Sequence, residues 1–103
     1  MSASADDRDR SVIEKARRQI DRLDGEIVRL LSERAEHVRA IGDAKRRLGV
    51  PVYQPEREEK VFKRVVAANP GPLDDGAIRR LFERIIDEAR RLERLVYKND
   101  END

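Results

Sequence analysis

Residues 11–48, SVIEKARRQIDRLDGEIVRLLSERAEHVRAIGDAKRRL, decide the fold. Ile13, Ile20, Ile27, Ile41 and Leu48 recur at one register of a seven-residue repeat, and Ala16, Leu23, Leu30 and Ala44 follow three residues behind. That spacing keeps one apolar stripe on one side of an α-helix. Ser11 can cap the helix, with Glu14 completing a capping box. Gly49 can close the far end in a left-handed conformation. At 1.5 Å per residue the helix would be roughly 55 Å long, whereas a compact monomer of this size has a radius of gyration of about 13 Å. Its far half therefore needs a partner, and a homo-oligomer is the expected state.

Outward from that stretch, chain breakers cluster at Gly49-Val50-Pro51 and at Asn69-Pro70-Gly71-Pro72. A short helix is predicted between them, over about 55–68. Pro55 suits its first position, and Glu56, Glu58 and Glu59 suit its positive end. A third helix is predicted from 74 or 75 to about 97, with Ile78, Leu81, Phe82, Ile85, Ile86, Ala89, Leu92 and Val96 as its stripe. The fold class is all-α: three helices, long, short and long, in a homo-oligomer. One helical domain is expected over 11–98, between disordered tails at 1–10 and 99–103.

The chain has 103 residues, enough for one small domain. No stretch approaches the ~18 apolar residues that a membrane span needs. Charged residues make up 44%, but the apolar 38% recur regularly, which argues against disorder. Lys and Arg number 23 against 22 Asp and Glu, so no basic excess points to nucleic acid. With no cysteine there is no disulfide framework, thiolate nucleophile or Cys-based zinc site. Residues 1–10 are polar and lack the apolar core of a signal peptide, so a cytoplasmic location is expected.

The informative residues are charges standing where the stripes call for apolar side chains. Arg34 takes the register of Ile27 and Ile41; a coiled coil can also use one such residue to fix register. Lys45, eleven residues on, returns to within ~20° of Arg34 and lies about 16 Å along the same face, so the two heads can converge on a small anion. Arg17 flanks the stripe and, by itself, reads equally as a solvated helix-face arginine. It lies about 25 Å from Arg34 along the helix, but two antiparallel first helices would bring it to the Arg34–Lys45 region of the other chain. Arg57 and Glu58 open the second helix, where a glutamate also serves the dipole. Glu93 continues the stripe of Phe82, Ile86 and Ala89 and so faces the core. Burial favours the protonated form of such a carboxylate, and a nearby lysine favours the ionised form. His37 falls at a heptad core position and reads as a packed residue.

The ordered set of Arg17, Ile20-Asp21-Arg22-Leu23-Asp24, Leu30-Leu31-Ser32-Glu33-Arg34, Ile41-Gly42-Asp43-Ala44-Lys45, Pro51-Val52, Arg57-Glu58 and Leu81-Phe82-Glu83-Arg84-Ile85-Ile86 resembles the all-helical class of chorismate mutases. The match runs from about residue 12 to 95. The resemblance implies an all-α intertwined homodimer with two sites, each lined by both chains, and a step of the shikimate route to the aromatic amino acids. It implies that Arg34, and Arg17 from the partner chain, hold the two substrate carboxylates. Lys45 then donates to the ether oxygen of the breaking bond, Glu58 binds the ring hydroxyl, and Arg57 precedes it. Glu93 stands where some members have glutamine and others glutamate. Gln54 replaces a common aspartate, and Ala89 a serine. Lys45, Glu93 and Arg34 would be catalytic, with Arg17, Gln54, Arg57, Glu58 and Ala89 completing the substrate contacts.

Chorismate is a dianion that rearranges to prephenate in one concerted pericyclic shift, with no nucleophile, metal or cofactor required. Catalysis must hold the chair-like conformer and stabilise charge where it develops. Two guanidiniums can grip two carboxylates bidentately. Donors at the ether oxygen, Lys45 and a protonated Glu93, would favour the transition state over the ground state. Two alternatives stand beside this reading. Isochorismate pyruvate lyase shares the fold, although the connection over 49–55 contains no extra lysine of the lid kind. A non-catalytic dimerisation or regulatory module explains the heptads but leaves Arg34, Lys45 and Glu93 as costs on apolar faces.

Overall fold

The computed structural model describes residues 4–101, with side chains over residues 4–98. The described residues form three helices and no strand: α1 (Ala5–Leu48), α2 (Pro55–Ala67) and α3 (Asp75–Glu101). The long, short, long order matches the pattern of stripes and breakers. No helix among the described residues is long and apolar enough to cross a membrane.

Two boundaries differ from the sequence expectation. α1 begins at Ala5, and its cap is Ser4 instead of Ser11: the Ser4 hydroxyl accepts from the Asp7 amide at 3.1 Å. Asp6 and Asp7 then occupy the first turn, where negative charge offsets the helix dipole. Thus residues 5–10 are helical, while residues 1–3 and 102–103 lie outside the described residues. α3 runs past Tyr97 to Glu101.

The other ends follow local chemistry closely. Gly49 adopts φ +72°, its amide donates to the Arg46 carbonyl at 3.2 Å, and the Val50 amide donates to that of Lys45 at 3.0 Å. These two bonds form a Schellman closure, which requires a residue that tolerates the left-handed region. Pro55 opens α2, and the Asp74 carboxylate caps α3 by accepting from the Ala77 amide at 2.7 Å. Between α2 and α3 the Asn69 side chain ties the turn together. Its amide donates to the Leu73 carbonyl at 2.7 Å, and its oxygen accepts from the Gly71 amide at 3.0 Å.

The chain divides into two compact units. The first, residues 1–34, holds the amino-terminal part of α1. Its stripe is uncovered: Ile13, Ile20, Leu23, Ile27 and Leu30 are 44–53% exposed. Its polar surface carries helix-spaced ion pairs such as Arg22–Glu26 at 2.7 Å, each of small net value because water screens it.

The second unit, residues 35–103, combines the end of α1 with α2 and α3. Val38, Phe62 and Ile86 are its buried apolar side chains among the described residues. α2 packs on α3, and the Arg79 guanidinium stacks 4.2 Å from the Phe62 ring centroid. Gly42 lets α1 approach α3 closely, for a Cβ built there would lie 3.4 Å from Glu93 Cα. A side chain larger than a methyl would force the helices apart.

Candidate active site

That close approach fixes the centre of the site. Lys45 follows Gly42 by three residues, so it leaves α1 on the side facing α3. Its ammonium donates to Glu93 Oε2 at 2.9 Å and to the Val52 carbonyl at 2.9 Å. The second contact depends on the Gly49 closure, which folds the following segment back over the end of α1. Both side chains are only about a tenth exposed, 12% for Lys45 and 11% for Glu93. A buried charge needs an opposite partner and further hydrogen bonds, and each of these groups has the other. An ammonium carries three N–H bonds. Glu93 and Val52 take two, which leaves the third for a ligand.

Glu58 stands in a second cluster, on the first turn of α2. That turn is set by backbone bonds from the Arg57 and Glu58 amides to the Gln54 carbonyl, at 3.1 and 3.2 Å. Glu58 Oε2 lies 2.8 Å from Arg90 Nε, although that N–H is not aligned for a hydrogen bond, so the contact is ionic in kind. The Arg90 guanidinium lies 5.5 Å from the centroid of the Tyr53 ring. Since Tyr53 follows Val52, the two clusters join through one short loop. Val52 and Tyr53, with Arg94, Tyr97 and Lys98, also line an open cleft of about 540 Å³. Lys45, Glu93 and Glu58 are absent from that lining, so the cleft borders the cluster without containing it.

Lys45, Glu93 and Glu58 are therefore gathered in the second unit, with Ala89 half-buried on the same helix as Glu93. Gln54 and Arg57 are exposed at the start of α2. Arg17, exposed, and Arg34, half-buried, belong to the first unit. His37 is exposed in the single chain, not packed. Tyr53 and Arg90 lie outside the set of site residues expected from the sequence. The signal for Arg90 was present: it lies four residues after buried Ile86 and three before Glu93, on the inner face of α3.

Comparison with known proteins bears on the family and the fold. The chorismate mutase type II family matches residues 16–94. The bifunctional chorismate mutase/prephenate dehydratase of Neisseria gonorrhoeae is 47% identical over 79 residues, which cover 76% of this chain and 21% of that protein. The chorismate mutase of Methanocaldococcus jannaschii is 25% identical over 87 residues, covering 84% of this chain and 88% of that protein. Among solved structures, form II of the chorismate mutase from Thermus thermophilus superposes with a TM-score of 0.78 at 44% identity, covering 80% of this chain and 93% of that one. The Helicobacter pylori chorismate mutase in complex with prephenate gives a TM-score of 0.78 at 27% identity, covering 85% and 96%. The chain belongs to the type II chorismate mutase family. It spans 21–25% of the length of three bifunctional relatives it matches.

Proposed function

We propose that this chain catalyses the rearrangement of chorismate to prephenate, as a cytoplasmic homodimer whose working unit is the helical domain over 11–98. The observation that carries the reading is the Lys45–Glu93 pair at 2.9 Å, nine-tenths withdrawn from water on otherwise apolar faces. A purely structural bundle gains little from burying two charges. An enzyme that must stabilise charge developing on an ether oxygen gains a fixed donor in a dry site.

In this mechanism Arg34 and the partner's Arg17 grip the two carboxylates and select the chair-like conformer. Glu58 accepts from the ring hydroxyl, flanked by Arg57 and Gln54. Lys45 directs its remaining N–H at the ether oxygen as the carbon–oxygen bond lengthens, and Glu93 supplies a second donor when protonated. Ala89 leaves room where a hydroxyl could have met a carboxylate. Incubation with chorismate tests the reading directly: prephenate is expected, whereas pyruvate release or no reaction overturns it.

The dimer is supported by the uncovered stripe of the first unit and by a core of three buried apolar side chains among the described residues, thin cover for a domain of this size. Sedimentation at micromolar concentration is expected to give a two-chain species. A compact 12.0 kDa particle with full helicity would refute it. Sharing of sites has its own test. Arg17→Ala and Arg34→Ala chains, each inactive alone, should recover activity after subunit exchange, because a mixed dimer has one site with both losses and one with neither. No recovery after verified exchange would put Arg17 in its own chain's site.

A further inference from the structure

Arg90 is held on three sides. Its Nη2 donates to Asp87 Oδ1 at 2.7 Å, one turn earlier on α3. Its Nε, sealed from solvent, lies 2.8 Å from Glu58 Oε2 on α2, and its guanidinium plane lies over Tyr53 on the loop after α1. An arginine serving only solubility would not be confined among elements from three parts of the chain. The planar guanidinium can meet diverging carboxylates through separate nitrogens, which a lysine ammonium cannot reproduce with the same rigidity.

We propose that Arg90 is a positioning residue for Glu58. It engages Oε2, which leaves Oε1 to accept from a hydroxyl of the ligand. It also braces Tyr53, the neighbour of Val52, whose carbonyl holds Lys45. One side chain thus links the carboxylate that orients the ring to the loop that anchors the ammonium. The Arg90 Nε–H is buried and misaligned on Glu58 Oε2 at 2.8 Å. Such contacts commonly tighten when the ligand arrives. This inference rests on the chorismate reading above, in which Glu58 takes the ring hydroxyl.

The test is a double-mutant cycle on kcat and KM for chorismate, with thermal unfolding measured on the same proteins. Arg90→Leu is expected to lower kcat/KM by about ten- to a hundredfold, the range set by misplacing a substrate contact. Glu58→Ala should cause a loss of similar size, and the double variant should lose far less than the product of the two single losses. Arg90→Lys, which retains charge without the fork, should fall between wild type and Arg90→Leu. If Arg90→Leu does not fold, the cycle is run with Arg90→Lys, and losses that fall short of multiplying are again expected. Losses that multiply, or an Arg90→Leu enzyme at wild-type rate, would overturn the inference while leaving the chorismate reading intact. A wild-type protein that makes no prephenate would overturn both.

Discussion

Lys45→Ala is expected to lower kcat/KM by about a hundred- to a thousandfold, the usual loss when one preorganised donor to a developing oxyanion is removed, about 2.7–4 kcal/mol. Arg34→Ala is expected to do the same through the carboxylates, because conformer selection fails when one grip is lost. Lys45→Ala carries a second consequence. It strands the Glu93 carboxylate on a buried face, and breaking a buried pair from one side costs about 3–5 kcal/mol of stability. Activity and stability must therefore be separated. Lys45→Ala combined with Glu93→Gln removes the stranded charge, so the melting temperature should recover while turnover stays low. Near wild-type turnover in Arg34→Ala, or in the combined Lys45 variant, would show that the site is misplaced.

The legibility of this molecule follows the range of the interactions. Gly49 and Pro55 were readable because each acts on its own turn of chain, through a left-handed φ or a fixed φ. The start of α1 was not. Residues 5–10 carry no apolar stripe, so periodicity is silent there, and Ser11-Glu14 offers the same capping chemistry as Ser4-Asp7. Helix propagation through the polar turn decides between them, since extending a formed helix costs far less than nucleating one. Glu93 could be placed on the inner face from its own stripe, and Lys45 from its own helix. Their pairing across 48 positions depends on the approach that Gly42 permits. Arg90 was visible as an inward charge, but its choice of Glu58 over Glu93 is tertiary, set by how α2 docks on α3. His37 marks the other limit: its heptad position implies burial that one chain does not provide.

Glu93→Gln and Glu93→Ala should diverge sharply. In the ligand-free chain Glu93 accepts from Lys45 at 2.9 Å, so one of its oxygens already has a donor. With substrate present, a negative carboxylate beside the ether oxygen would oppose the charge developing there, whereas a protonated one would donate to it. Glutamine has nearly the same shape, its oxygen can still accept from Lys45, and its amide donates at every pH. Glu93→Gln should therefore stay active. Glu93→Ala should be impaired throughout, because it removes the donor and leaves Lys45 with the Val52 carbonyl as its remaining anchor. The measurement is kcat/KM for the three proteins under one set of conditions. A Glu93→Gln enzyme as impaired as Glu93→Ala would remove Glu93 as a donor and reduce it to the anion that holds Lys45 in place.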